Sequence, residues 1–259
     1  MRKLIATDLD GTILFNRQVS PEDLAAMERW RRAGHLLVVD TGKSVFATRD
    51  ALGPCGVSFD YAVAFTGAVL TDGDYRLLSA RYLPDGVVQE IVSHLTDISG
   101  ITVFATTLET DYVLLNTLGD VSSILRVFSP LALTEVADHR FIGVPVRVPD
   151  DAENDRVAQV ITECCGSGIE LYRNQDFLDV VPAGCSKGQG LTDLLAGPLA
   201  GQEVETWSVG DSWNDLPLFE ACDRSFAMAH APRQVRQGAT DVAASVAQAL
   251  EGLGGRPPA

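Results

Sequence analysis

The sequence predicts an α/β fold, with a Rossmann-like parallel-sheet core and an inserted α+β module. Three observations lead there. Short apolar runs alternate with helical patterns over the first third of the chain and again over the last third. One run, Leu36-Leu37-Val38-Val39, is apolar without a break, as expected of a parallel strand covered on both faces. Between these thirds the order of helices and strands changes, which predicts a separate unit inserted into the core. The predicted division is a core of residues 1–82 and 185–259 and an insert of residues 83–184.

Each element has its own signal. Residues 2–7 read as the first strand. Ser20-Pro21-Glu22-Asp23 opens a helix: Ser20 supplies the cap, Pro21 sits where its missing N–H costs nothing, and the two acids meet the positive end of the helix dipole. Ala25, Met27 and Trp30 carry this helix towards Gly34. After the apolar strand at 36–39 come a helix over about 45–52 and a strand at 62–65. The insert is predicted to hold helices over about 84–98 and 151–165 and strands near 103, 113–115, 141–148 and 171–180. The core then resumes with Ser186 capping a helix to about Leu195, a strand at 206–209, a helix, a strand at 225–228 and a closing helix across 242–250. The Gly- and Pro-rich tail from Gly254 is expected to fray.

Composition narrows the function classes. Of 259 residues 46% are hydrophobic, which describes a well-buried globular chain, long enough for a core plus a second module. No apolar run approaches the ~18–20 residues of a membrane span. The few residues before Asp8 are too short for a signal peptide. Five cysteines without C-x-x-C spacing fit a reduced, cytoplasmic setting. A net charge of −15 argues against a nucleic-acid surface, which needs clustered cations, but leaves room for a small anion bound in a locally positive site. A membrane partner is not expected, and the assembly is expected to be a monomer or a homodimer. Only three of the 20 cationic side chains are lysines, namely Lys3, Lys43 and Lys187. Lys43 and Lys187 each lie in a Gly-containing turn, and a lysine is a compact charge that arginine does not mimic.

The first strand runs into Asp8-Leu9-Asp10-Gly11-Thr12. Carboxylates two apart in extended chain face one way and raise one another's pKa unless a cation or shared proton compensates. Asp-x-Asp-Gly is also an ordinary surface turn. A calcium loop is ruled out because its twelfth position, counted from Asp8, is Val19, which has no side-chain oxygen. In an open parallel sheet, ligands bind beyond the carboxyl ends of the strands. Those predicted ends carry Asp8 and Asp10, then Thr41, then Asp211, so distant stretches of sequence converge on one rim.

Four motifs occur in order: Asp8-Leu9-Asp10-Gly11-Thr12; Asp40-Thr41-Gly42-Lys43-Ser44; Cys185-Ser186-Lys187-Gly188; and Gly210-Asp211-Ser212-Trp213-Asn214-Asp215. Together they resemble the haloacid dehalogenase superfamily of phosphatases, in particular its Cof-like, sucrose-phosphatase-like branch with a large α/β cap. The resemblance covers all but the tail. It implies that Asp8 attacks phosphorus to form an aspartyl-phosphate, and that Asp10 serves as acid and then base. It implies Mg²⁺ held by Asp8, Asp10 through its carbonyl, and Asp211, with Asp215 behind them. Thr41, Gly42, Lys187 and Asn214 would bind the phosphoryl group. Two departures bear on substrate: Thr-Gly-Lys stands where Thr-Gly-Arg is frequent, and Thr66-Gly67-Ala68 where Asn-Gly-Ala is frequent. The insert becomes the cap that sets specificity, with Lys43, Arg147, Arg173 and Asn174 as candidate substrate contacts. The implied substrate is a small phosphorylated metabolite, a sugar phosphate by family analogy.

Other readings compete. Gly184-Cys185-Ser186-Lys187-Gly188 fits a serine-hydrolase elbow, and Asp211 and His230 follow in triad order. That reading gives Asp8, Asp10 and Thr41 no role. Gly42-Lys43-Ser44 ends like a phosphate loop, but the first glycine is replaced by Leu37. A phosphotransferase or phosphomutase, or a non-catalytic metabolite-binding protein on the same scaffold, shares the motifs.

Overall fold

The computed structural model describes residues 1–119, 128–252 and 254. The first strand, β1 (Arg2–Thr7), leads to helix α1 (Pro21–Arg32), whose first turn is closed by Ser20 accepting the Asp23 amide. Then follow β2 (Leu36–Asp40), α2 (Val45–Leu52), β3 (Tyr61–Ala64), β4 (Val69–Asp72) and β5 (Leu77–Ala80). A second group comprises α3 (Val87–Leu95), β6 (Thr102–Thr106), β7 (Asp111–Asn116), β8 (Ser129–Pro130), β9 (Val144–Arg147), α4 (Asp151–Cys165), β10 (Ile169–Asn174) and β11 (Phe177–Pro182). The chain closes with α5 (Lys187–Ala196), β12 (Val204–Gly210), α6 (Leu216–Glu220), β13 (Arg224–Met228), α7 (Arg233–Gly238), β14 (Asp241–Ala243) and α8 (Val246–Leu250).

The larger sheet has the order β14-β13-β12-β1-β2-β3-β4-β5. It is parallel from β14 to β3 and antiparallel over β4 and β5. β1 lies between β12 and β2, the arrangement that brings the two ends of the sequence together. Alternation along β1 explains the two covered faces. Ile5 packs with Met27 and Trp30 of α1 and Leu250 of α8, whereas Leu4 and Ala6 pack with Leu191 and Leu194 of α5. The smaller sheet, β10-β11-β9-β6-β7-β8, is antiparallel apart from the β7–β8 pair. Its Val103, Val144, Val146, Leu178 and Val180 pack under α3 and α4.

Several expectations need correction. The run 171–180 is two strands, not one: β10 and β11 form a hairpin turning at Gln175, whose φ of 54° is left-handed. The polar run Arg173-Asn174-Gln175-Asp176 inside an apolar stretch was the signal for that turn. The closing helix does not begin at Val242. Asp241–Ala243 pair with β13 as an edge strand, and Ser245 caps the shorter α8. The parallel core also gains the antiparallel β4–β5 hairpin, turning at Asp72-Gly73-Asp74, and the short helix α7. The tail from residue 255 lies outside the described residues.

Candidate active site

The site is built where β1, β2 and β12 end. Asp8 follows β1, and its amide donates to the Val209 carbonyl at 2.9 Å. The next turn is tied by the Ile13 and Leu14 amides to the Leu9 carbonyl. Gly11 has a φ of 76°, and a Cβ there would lie 2.3 Å from an Asp211 oxygen. A glycine is therefore required on two counts.

Lys187, at the start of α5, is fully buried. Its Nζ donates to Asp8 Oδ1 at 2.7 Å and to Asp215 Oδ1 at 2.5 Å. Asp215 uses its other oxygen to accept the amides of Asp211 and Ser212, both at 2.9 Å. It thereby fixes both the lysine and the turn that carries Asp211. Thr12 donates to Asp211 at 3.3 Å.

Asp8, Asp211 and Asp215 each bring an oxygen within 4.8 Å of the others. Burial pushes the Asp8 carboxyl well up, Lys187 opposes this, and Asp215 and Asp211 add to it. Burial and then Asp215 push Asp211 up to about 6. Burial alone would favour a neutral Lys187, but Asp215, Asp8 and Asp40 outweigh it and keep the ammonium. Three carboxylates against one lysine leave an excess of two negative charges when all are ionised. An oxygen-rich site with that excess fits a hard divalent cation.

The second motif stands across from this cluster. Lys43 Nζ lies 2.6 Å from Asp10 Oδ2. The expectation that Asp8 and Asp10 share one face is met only in part. Asp8 is buried beside Lys187, whereas the Asp10 side chain is about half exposed against Lys43, because β1 ends at Thr7 and the chain is already turning. Asp10 is not one of the three clustered carboxylates. Thr41 is buried, and its Oγ1 accepts the Lys43 amide at 3.1 Å. Asn214 is buried with neither side-chain polar atom hydrogen-bonded. A Cβ on Gly42 would lie 3.5 Å from Asn214 Nδ2, 2.6 Å from Asn174 Nδ2 and 2.8 Å from Asp179 Oδ2.

Of the residues expected from the insert, Asn174 reaches this place and also donates to Asp179 at 3.3 Å. Arg147 and Arg173 do not line the cleft. Arg147 is held by Asp176 at 2.7 Å, and Arg173 pairs with Asp151 and stacks on the Trp213 ring at 4.9 Å. Ser186 accepts the Gln189 amide as a helix cap, and half-exposed His230 lies 3.7 Å from Asp211, so a Ser-His-Asp relay is not formed.

Sequence reasoning missed four features. Asp179 is buried on β11, hydrogen-bonded by Thr66 at 3.3 Å, and burial pushes it up to about 6. A lone carboxylate in Phe177-Leu178-Asp179-Val180-Val181 was its signal. Asp111 on β7 accepts the Ser44 hydroxyl at 2.7 Å, a contact between distant segments that leaves no local pattern. Asp40, just before Thr41, is fully buried with both oxygens unpartnered, and burial raises its carboxyl strongly. The fourth is a cleft of about 330 Å³ between the two sheets, which reaches Asp10, Gly42, Lys43, Asn174 and Asp179.

Known proteins share this architecture. The chain is 25% identical over 274 residues to 5-amino-6-(5-phospho-D-ribitylamino)uracil phosphatase of Bacillus subtilis, covering 94% of this chain and 93% of that one. It is 24% identical over 247 residues to HMP-PP phosphatase of Yersinia pseudotuberculosis, covering 92% and 87%. The solved structure of a subclass IIB sugar phosphatase superposes with a TM-score of 0.80 at 18% identity, covering 96% of this chain and 98% of that one. The haloacid dehalogenase-like hydrolase family model matches residues 5–253, which takes in every strand-end motif described above. By this match, over nearly its whole length, the chain belongs to the haloacid dehalogenase-like hydrolase family.

Proposed function

We propose that the chain is a Mg²⁺-dependent phosphomonoesterase that hydrolyses a small phosphorylated metabolite through an aspartyl-phosphate on Asp8. The observation that carries this reading is the buried Asp8–Lys187–Asp215 array beside Asp211, open towards Lys43 and Asp10. Phosphorylated substrates are named for both relatives above, and the neighbouring structure is named a sugar phosphatase. We take a sugar phosphate as the proposed substrate, by analogy with that neighbouring structure alone.

In the proposed reaction an Asp8 oxygen attacks phosphorus as the bond to the leaving alkoxide breaks. Asp10 gives that alkoxide its proton. A water then loses its proton to Asp10 and attacks the same phosphorus, and the bond to Asp8 breaks to release phosphate. Lys187 holds Asp8 in place and offsets charge on the phosphoryl oxygens. Thr41, the Gly42 amide and Asn214 are the proposed donors to those oxygens. Asn214 suits this because its buried amide has no partner of its own. Asp8 and Asp211, with the Asp10 carbonyl, would hold Mg²⁺, and Asp215 supports them from behind. When bound, the ion supplies positive charge next to the transferring group.

Uncatalysed hydrolysis of such esters is so slow that over ~23 kcal/mol of barrier lowering is called for. Positioning contributes ~7–11 kcal/mol, so charges aimed at the phosphoryl oxygens must supply much of the rest. Residues 83–184 act as the cap in this proposal and residues 1–82 with 185–259 as the core. A cytoplasmic setting belongs to the same reading, since all five cysteines are free thiols. Transfer to a sugar acceptor instead of water would use the same residues, and the product formed distinguishes the two. The test is phosphate release from sugar phosphates and p-nitrophenyl phosphate with Mg²⁺, with EDTA and with Asp8→Asn. Release that survives both EDTA and the substitution would sink the mechanism.

A further inference from the structure

The larger sheet ends on one side at β5, and among the described residues no strand pairs with the outer edge of β5. At the opposite edge β14 is met by the chain itself: a Cβ on Gly254 would lie 2.6 Å from the Asp241 Cβ. β5 reads Leu77-Leu78-Ser79-Ala80, flanked by Arg76 and Arg81. Leu77 is 51% exposed and Leu78 44%, and among the described residues no other two exposed large hydrophobic side chains are neighbours in sequence. The bulge between β4 and β5 explains the pair. Thr71 lies opposite Leu77 and Leu70 opposite Ser79, so Leu78 is an extra residue without a place in the ladder.

Open sheet edges are ordinarily guarded by charged side chains. The two guards here are drawn back along their own chain. Arg76 is held by Asp74 at 3.0 Å and Arg81 by Asp193 at 2.7 Å. What remains is an edge with two leucines uncovered, which is the make-up of a strand-pairing surface.

The charges at its two ends select the partner. Before the leucines, Asp72 and Asp74 share the single guanidinium of Arg76, at 3.6 and 3.0 Å. After them come Arg81 and, 3.8 Å from the Tyr82 ring centroid, the exposed Arg140, which makes no ion pair among the described residues. The edge is therefore acidic where the strand begins and basic where it ends. A second copy turned end for end complements both ends. Asp74 precedes Leu77 by three residues and Arg81 follows Leu78 by three. When Leu77 faces the partner's Leu78, each Asp74 comes to the partner's Arg81 and Arg140, and two-fold symmetry makes the match twice. A parallel copy would set like charges side by side.

We propose that two copies of the chain pair through β5, antiparallel and edge to edge, so that their larger sheets become one. The contact is short, so the dimer is weak, with a Kd of roughly 10–100 μM.

The test is sedimentation velocity from about 5 to 200 μM, a range that spans a weak specific contact. It compares the wild type, Leu78→Lys, Asp74→Arg, Arg140→Glu and the double variant Asp74→Arg/Arg140→Glu. The wild type should pass from monomer to dimer over this range, with slower hydrogen exchange in residues 77–80 as concentration rises. Leu78→Lys should stay monomeric while keeping the wild-type circular dichroism and a single cooperative unfolding transition. Each single charge change sets like charges together and should raise Kd by about tenfold or more, and the double variant should recover the wild-type Kd. A wild type that remains monomeric throughout, or a dimer that survives Leu78→Lys, would overturn the inference. A double variant as weak as either single change would overturn the antiparallel arrangement.

Discussion

Asp8 and Lys187 form a buried ion pair at the centre of the proposed site, 2.7 Å apart. Asp8→Asn is expected to reduce phosphate release by at least about 10³-fold, because the proposed nucleophile is gone while the surrounding charges remain. Steady-state rates against p-nitrophenyl phosphate check this. Lys187→Met leaves Asp8 and Asp215 without their shared cation. Removing one partner of a buried ion pair costs roughly 3–5 kcal/mol, so this variant should show a large fall in Tm as well as in activity. An unchanged Tm would mean that Lys187 is not holding the two carboxylates. Most of these residues were legible in the sequence because motif chemistry is local: Asp8, Thr41, Lys187 and Asp211 stand at fixed places in strand-to-helix turns. Asp111 and Asp40 were not legible, since their significance lies in burial, and burial is a property of what packs around a residue.

Between elements, the decisive contact joins the turn after β2 to the hairpin of β10 and β11. Asn174 and Asp179 sit where a side chain on residue 42 would have to go. Gly42→Ala should therefore press the hairpin away from the core and lower kcat/KM by about tenfold, with faster hydrogen exchange in residues 169–182. Unchanged exchange would show that the hairpin does not rest on Gly42.

Asp179 gives the same contact a pH dependence. Its carboxyl is pushed up to about 6 from 3.8 by burial, so the folded chain binds this proton more tightly than the unfolded chain. The stabilisation it provides is complete below about pH 4 and is lost as pH rises through 6. Asp179→Asn should accordingly gain on the wild type by roughly 1–3 kcal/mol on going from pH 4.5 to pH 8. Thermal unfolding at both pH values measures the change. A difference that does not grow with pH would show that Asp179 ionises freely in the folded chain.

For the molecule as a whole, the acidity of the chain and of its site are separate matters. The net charge of −15 repels free anions at long range, and at the site Lys43 and Lys187 offset only part of the charge of Asp8, Asp10, Asp211 and Asp215. A divalent cation would complete that local balance. EDTA is expected to abolish phosphate release and added Mg²⁺ to restore it, and Tm should rise with the logarithm of the Mg²⁺ concentration once the ion exceeds its Kd. Restoration of activity without any ion would remove the metal from the proposal. Among the described residues no helix is long and apolar enough to cross a membrane.

By itself the sequence determined the α/β class, the parallel order of elements at both ends, the inserted unit and the four motifs at strand ends. Those features follow from periodicity and turn chemistry, which act over a few residues. Tertiary structure alone decided that 171–180 is a hairpin, that 241–243 closes the sheet as a strand, and that Arg147 and Arg173 face other partners while Asn174 and Asp179 face Gly42. It also decided the cleft between the sheets, which brings Asp10 and Lys43 of the core opposite Asn174, Phe177 and Asp179 of the insert. Such choices depend on which surfaces are buried against one another, and burial is settled between segments distant in sequence.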